Sequence, residues 1–236
     1  FFPLLHLTES QWQQLKNEAK ENSYFSVLQK RYDYYRRHIV KDFYQQYFST
    51  FDRQVILADC LTPLNHSREA FEDMQLALHQ LFRNFHYGKR NFLNRLFSPK
   101  IDKLMFIATK ADHITTDQLP NLVSLMRQLV QEGGRYVEFA DIATDYTAIA
   151  SIRATQQMVV NQHGRQFKAI QGVRSSDLQK VTLYPGSVPN KLPSVDFWQE
   201  QKFEFDQFEP RRLEQGENIP HLRMDAVLQF LLGDKL

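Results

Sequence analysis

Leu104-Met105-Phe106-Ile107-Ala108-Thr109-Lys110-Ala111-Asp112 runs from a short apolar stretch straight into a polar turn. A continuous apolar run of this length reads as a strand buried on both faces, the kind that parallel sheets contain. Residues 54–61, between Asp52 and Pro63, read as a second such strand. Residues 146–152 read as a third. Helical patterns fill the gaps. Phe71, Met74, Leu78, Leu81 and Phe85 make the apolar seam of a helix over 67–86. Leu119, Leu122, Val123, Met126 and Leu129 do so over 116–132. Pro120 sits in the first turn of the latter, where a missing N–H is harmless, and Gly133-Gly134 is expected to stop it. Strand, helix, strand, helix, strand predicts an α/β fold with a parallel sheet and crossover helices. About three strands are visible where a doubly wound nucleotide fold has five or six, so the sheet is a partial one.

Further out the texture changes. Residues 8–50 read as helical. Thr8 and Gln11 form a capping box ahead of Trp12 and Leu15. Phe25, Leu28, Tyr32, Tyr35, Ile39, Phe43 and Tyr47 then recur at steps of three and four, one face of a long amphipathic helix. Residues 86–100 read as an irregular, basic segment. Past 155 a hairpin around His163-Gly164 is expected, then a strand over 181–184. A proline-punctuated stretch follows, with Phe203, Phe205 and Phe208 along an edge strand, and a terminal helix over 223–232.

Net charge is +2, so nothing global favours nucleic acid or a membrane surface. No apolar stretch is long enough to predict a membrane span. Cys60 is the only cysteine, which rules out an internal disulfide and points to a reducing, cytoplasmic setting. It ends an apolar run and is expected to be a buried small hydrophobe. The apolar start, Phe1 to Leu5, has no basic leader and is not read as a signal peptide. Lacking an initiator Met, the chain reads as a fragment or a processed product.

Thr109-Lys110-Ala111-Asp112 follows the strand at 104–108 directly. Ligands of open α/β sheets bind at that end of the strands. A carboxylate there can accept from guanine N1–H and the N2 amino group together, a donor pair that adenine lacks. The Lys110 methylenes can lie along the base, and the Thr109 hydroxyl can tie neighbouring loops. Local context equally allows Thr109 and Asp112 simply to cap the next helix. The loop after the third strand, Ser151 to Thr155, would close over the base, with Ala154 small enough to bring a backbone N–H to guanine O6. The guanine reading requires the Asp112 carboxylate to face space for a purine, and it falls if that side chain points into protein and is satisfied by backbone amides. Asp59 ends the first strand and either holds Mg²⁺ through water or turns the strand end. Among the absences, no Gly-x-x-x-x-Gly-Lys-Ser/Thr occurs. The histidines show no metal-ligand spacing, and no paired catalytic carboxylates or nucleophile elbow is found, so neither catalytic nor metal residues are assigned.

Several stretches together resemble the YcjX-type stress-induced P-loop GTPases. They are 51–61, Pro63-Leu64-Asn65, Phe85-His86-Tyr87-Gly88, Leu96-Phe97-Ser98-Pro99, Ala108 to His113, Tyr184-Pro185-Gly186 and Gly233-Asp234-Lys235-Leu236. The resemblance implies an amino-terminal half, not in this chain, that carries the phosphate loop, the switch and the Mg²⁺ ligands. It implies GTP or GDP as ligand, with Thr109, Lys110 and Asp112 as the specificity motif and Ala154 in the closing loop. Thr109 stands where most such proteins have Asn, which weakens loop tying.

The expected organisation is a helical segment over 1–50, the second half of a P-loop GTPase domain over 51–157, and a β-containing appendage with a terminal helix over 158–236. The expected function is stress-related guanine-nucleotide binding, this chain supplying the base-reading half. GTP hydrolysis would belong to the intact protein, and this part alone would be inactive. Expected partners are the nucleotide, the missing half and, through an exposed strand edge, further copies of itself. The competing reading is an interaction module that binds protein or single-stranded nucleic acid. Lys89, Arg90, Arg95 and Lys100 among Phe92 and Phe97 would carry it.

Overall fold

The computed structural model describes residues 7–18, 20, 23–47, 50–85, 101–138, 142–162, 164–200 and 205–236. The basic and aromatic segment 86–100 and Phe203 lie outside them. The described chain forms two compact units, the first holding residues up to 51 and the second the rest.

The first unit is helical. Thr8 caps α1 (Glu9–Glu18): its amide donates to Gln11 Oε1 at 2.8 Å, and the Gln11 amide returns to Thr8 Oγ1 at 3.4 Å. The capping box is therefore formed. Ser23 caps α2 (Tyr24–Tyr34) through its hydroxyl, and a π-helical turn (Tyr35–Val40) leads into α3 (Lys41–Gln46). The expected single apolar face is corrected in two ways. The π-turn inserts a residue and rotates the stripe. Only Phe25 is buried, edge-on to Trp12 with ring centroids 5.5 Å apart, while Tyr32, Tyr35, Ile39, Phe43 and Tyr47 are exposed.

The second unit holds a parallel sheet in the order β1-β2-β3, formed by Arg53–Ala58, Lys103–Ala108 and Ala143–Ala148. Side chains alternate across β2 as the pleat demands. Leu104, Phe106 and Ala108 join one buried cluster with residues of α5 (Arg68–Phe85) and α6 (Leu119–Glu138). Met105 and Ile107 join another with Ile149 and Val227 of the terminal helix. Burial on both faces is what an uninterrupted apolar run requires. Each large side chain fully buried there contributes about 1.5–3 kcal/mol.

Several boundaries move from their expected places. The first strand stops at Ala58, because Asp59 turns the chain into α4 (Leu61–His66). The third lies at Ala143–Ala148, earlier than expected, and 149–154 become the loop beyond it. Helix α6 runs through Gly133-Gly134 to Glu138. Glycine in a helix costs roughly 1 kcal/mol each, a cost that a buried apolar face outweighs.

A second sheet follows, antiparallel in the order β4-β5-β6 (Thr155–Gln162, Arg165–Val173, Lys180–Leu183). The expected hairpin forms, with Gln162 paired to Arg165 and Gly164 at φ +73. Phe205 and Phe208 are buried, but Phe208 makes one isolated bridge with Arg174, so among the described residues no edge strand forms here. A short turn α7 (Phe197–Glu200) precedes this segment, and α8 (Met224–Leu232) ends the chain. No helix among the described residues is long and apolar enough to cross a membrane.

Asp234 staples the end of the chain to the sheet. Its carboxylate accepts both ends of the Arg53 guanidinium at 2.7 Å each and Lys103 Nζ at 2.8 Å. Those bonds hold the Asp234 carboxyl below its ordinary value of 3.8. A depressed folded pKa means that the contribution is complete above about pH 4 and fades as pH falls through the folded value. Asp234→Asn is expected to flatten the acid limb of thermal stability, read as a smaller difference in Tm between neutral and strongly acidic buffer.

Candidate functional site

The carboxyl ends of the three parallel strands meet at one edge. The Thr109 amide donates to Ala58 O at 2.9 Å, and its hydroxyl reaches the same oxygen at 3.4 Å. Ile149 N donates to Ala108 O at 2.9 Å, and Ala111 N to Ile149 O at 3.0 Å. Thr109 thus ties the first strand to the second, and Ala111 ties the second to the third. Between them Lys110 takes a left-handed conformation, φ 58 and ψ 30. A lysine held there is uncommon and costs energy that the surrounding bonds must supply.

What holds Lys110 is Asp59. Lys110 Nζ lies 2.7 Å from Asp59 Oδ2, and also donates to Thr62 Oγ1 at 3.0 Å and Gln207 Oε1 at 3.2 Å. Asp59 also accepts the amides of Leu61 and Thr62 at 3.2 and 3.0 Å and the Thr62 hydroxyl at 2.6 Å. Burial alone would raise its pKa. The bonds from Lys110 and Thr62 outweigh burial and hold the carboxyl below the usual range. Of the two roles considered for Asp59, the turn at the strand end is the one seen, with an ion pair added. The Lys110 ammonium therefore points back across the strand ends.

Asp112 is buried, 4% exposed. Its Oδ2 accepts from Ala154 N at 2.6 Å and from Thr155 N at 3.1 Å. The Thr155 hydroxyl donates to the Asp112 carbonyl. The fold therefore brings Asp112 and Ala154 together across 42 residues. The open space beside the carboxylate that base reading requires is taken in this structure by two backbone amides. The loop itself is braced from below: Gln157 of β4 donates to Ile114 O at 3.0 Å and accepts from Thr116 N at 3.1 Å. His113 is buried edge-on to Phe208, ring centroids 5.3 Å apart, and that burial pushes its pKa down.

Sequence reading missed two contributors and gave a third no role. Gln207, from the segment after α7, caps the Lys110 ammonium from 97 residues away, and no local pattern announces it. Thr155 is the last residue of the expected closing loop, and its amide and hydroxyl both bond to Asp112. Gly172 of β5 lies behind that loop: a Cβ there would meet Phe208 Cδ1 at 2.8 Å, Thr155 Cγ2 at 3.1 Å and Ala154 O at 3.2 Å. Gly172→Ala is expected to cost about 1–3 kcal/mol by overpacking and to push the loop off Asp112. A thermal melt checks the first effect. An unchanged Tm would mean that Phe208 swings clear at no cost.

Cys60 is fully buried, as expected, and burial pushes its thiol up to about 12. Among the described residues no cluster of His, Cys, Asp or Glu could hold a metal ion.

With this geometry in view, comparison with known proteins is informative. The chain is 46% identical over 219 residues to the Ras-like GTPase YcjX of Escherichia coli K12, covering 93% of this chain and 47% of that protein. It is 41% identical over 240 aligned positions to the Ras-like GTPase YcjX of Shewanella oneidensis MR-1, covering 100% of this chain and 49% of that protein. The chain spans about half the length of the curated relatives it matches. The YcjX-like family, DUF463, matches residues 1–236, and the chain belongs to that family.

Proposed function

We propose that this chain supplies the guanine-reading half of a guanine-nucleotide-binding protein. Thr109, Lys110 and Asp112 form the specificity motif, and Ala154 sits in the loop that closes over the base. The observation that carries the reading is the position of Thr109, Lys110 and Asp112 at the carboxyl end of the middle parallel strand, in a chain whose relatives are named Ras-like GTPases. The Asp112 carboxylate there is paired with two backbone N–H donors, an arrangement that by itself counts against a base at this place. Guanine offers the same kind of donor pair, N1–H and the N2 amino group, so the exchange replaces like with like. It requires the amides of Ala154 and Thr155 to give way, which leaves the Ala154 N–H available to guanine O6. Lys110 must likewise turn from Asp59 to lie along the base. The chemistry of these groups fits the nucleotide, and the fit depends on that rearrangement.

In this reading 51–157 is the second half of a P-loop domain and 158–236 an appendage to it. Phosphate binding, Mg²⁺ binding and hydrolysis belong to the amino-terminal half of the intact protein. This chain alone is then inactive. Relatives named Ras-like GTPases support nucleotide turnover by the whole protein. The stress-related role rests on the resemblance. A cytoplasmic setting rests on the lone buried thiol. The free edge of β1, which among the described residues pairs only with β2, is where the missing half or a second copy would add a strand.

The test is titration of the full-length protein with a fluorescent GDP analogue. Saturable binding is expected, displaced by GDP and GTP and resisted by ADP and ATP at least about a hundredfold. Equal displacement by adenine nucleotides would remove the proposal.

A further inference from the structure

A cavity of about 860 Å³ opens beside the Ala154–Thr155 loop, on the side of the antiparallel sheet. Its rim carries Arg153, Lys180, Arg211 and Arg212, and a single carboxylate, Glu209. These cations come from three separate parts of the chain: the loop after β3, the start of β6 and the segment after Phe208. Arg211 is paired with Glu217. Among the described residues no carboxylate lies within ion-pairing distance of Arg153, Lys180 or Arg212. Like charges gathered around one concavity raise its positive potential and favour an anion there.

Part of the rim is also fixed in place. The Arg153 amide donates to Pro220 O at 2.8 Å and its Nε to His221 O at 2.9 Å. The Glu209 amide donates to Val173 O at 2.8 Å. Arg153 is therefore already placed, while the exposed side chains of Lys180 and Arg212 are ordered on binding. Apolar side chains, Val173, Leu178 and Pro210, share the lining and suit the body of a small molecule. The volume is that of a small-ligand site.

We propose that this cavity binds a small dissolved anion carrying two or more phosphoryl groups. Arg153, Lys180 and Arg212 supply the charge-assisted hydrogen bonds. The site is separate from the guanine motif, although both are walled by Ala154 and Thr155, and it stands whether or not that motif reads guanine.

The probe is inorganic tripolyphosphate, titrated calorimetrically into the full-length protein with and without excess GDP. With GDP filling the nucleotide site, one saturable site per chain is expected, weakening as salt rises, and without GDP the phosphate loop of the intact protein takes up further tripolyphosphate. Lys180→Glu with Arg212→Glu is expected to weaken it about a hundredfold, roughly tenfold for each lost contact. Lys191→Glu, an exposed charge outside the cavity, is expected to leave it unchanged. Should the double variant melt early, Lys180→Gln and Arg212→Gln singly give the same reading at about tenfold each. The proposal is overturned by absence of saturable heat, by affinity indifferent to the rim variants, or by a site that GDP abolishes.

Discussion

Asp112→Ala is expected to destabilise the protein by about 3 kcal/mol. The substitution leaves the Ala154 and Thr155 amides facing a carboxylate that is gone. Each buried donor left without a partner costs about 1–3 kcal/mol. In a chain of this size the loss corresponds to a Tm lower by about 6–12 °C. Asp112→Asn keeps an oxygen where Oδ2 lies and should cost far less. It does replace one acceptor by a donor. The guanine pair then loses one bond and meets an opposing N–H, while xanthine, with a carbonyl at C2, is accommodated. Guanine affinity of the intact protein should fall about a hundredfold and xanthine nucleotides should gain. The two variants separate the roles of one side chain. A destabilised Ala variant beside an Asn variant with native guanine affinity would leave Asp112 as a loop staple and nothing more.

Phe106→Ala is expected to have an effect at least as large on stability. Phe106 is fully buried in the middle strand and stacks on Tyr146, ring centroids 5.2 Å apart and planes 20° apart. Truncation removes the ring from the cluster that joins the sheet to α5 and α6 and leaves a cavity among side chains that cannot all collapse into it. Losses of about 3–5 kcal/mol are typical of such changes. Against a total stability of about 5–15 kcal/mol, that takes a large share of the folding free energy. Chemical denaturation should show an earlier midpoint with an unchanged slope. Because β2 carries the Thr109–Asp112 turn at its end, partial unfolding there should disorder the site first. Phe106→Leu should recover most of the loss, since it refills much of the space.

The apolar run of β2 was legible because burial on both faces needs no periodicity: every position from Leu104 to Ala108 had to be apolar. The hairpin was legible because a two-residue connection demands a positive φ, which Gly164 takes. The boundary at Ala58 was legible in part, since Asp59 offers a turn, which it makes by accepting the nearby amides of Leu61 and Thr62. The boundary at Ala148 was not: Ile149 looks like a strand continuation, and its carbonyl accepts from Ala111 of another segment. The helical stripe of the first unit shows the limit of periodicity. Spacing says which residues share a face, but it does not say what, if anything, covers that face.

From its own residues the sequence determined that a parallel α/β sheet forms and that Thr109, Lys110 and Asp112 cluster at the carboxyl end of one of its strands. These follow from apolar content and local spacing, which act over a few residues. Only the tertiary structure decided what those side chains touch. Lys110 meets Asp59 and Gln207, and Asp112 meets the amides of Ala154 and Thr155, across separations of 42 to 97 residues. The physical reason is that an ammonium or a carboxylate near a buried strand end must be satisfied. Which of several available groups satisfies it depends on how distant segments come to pack.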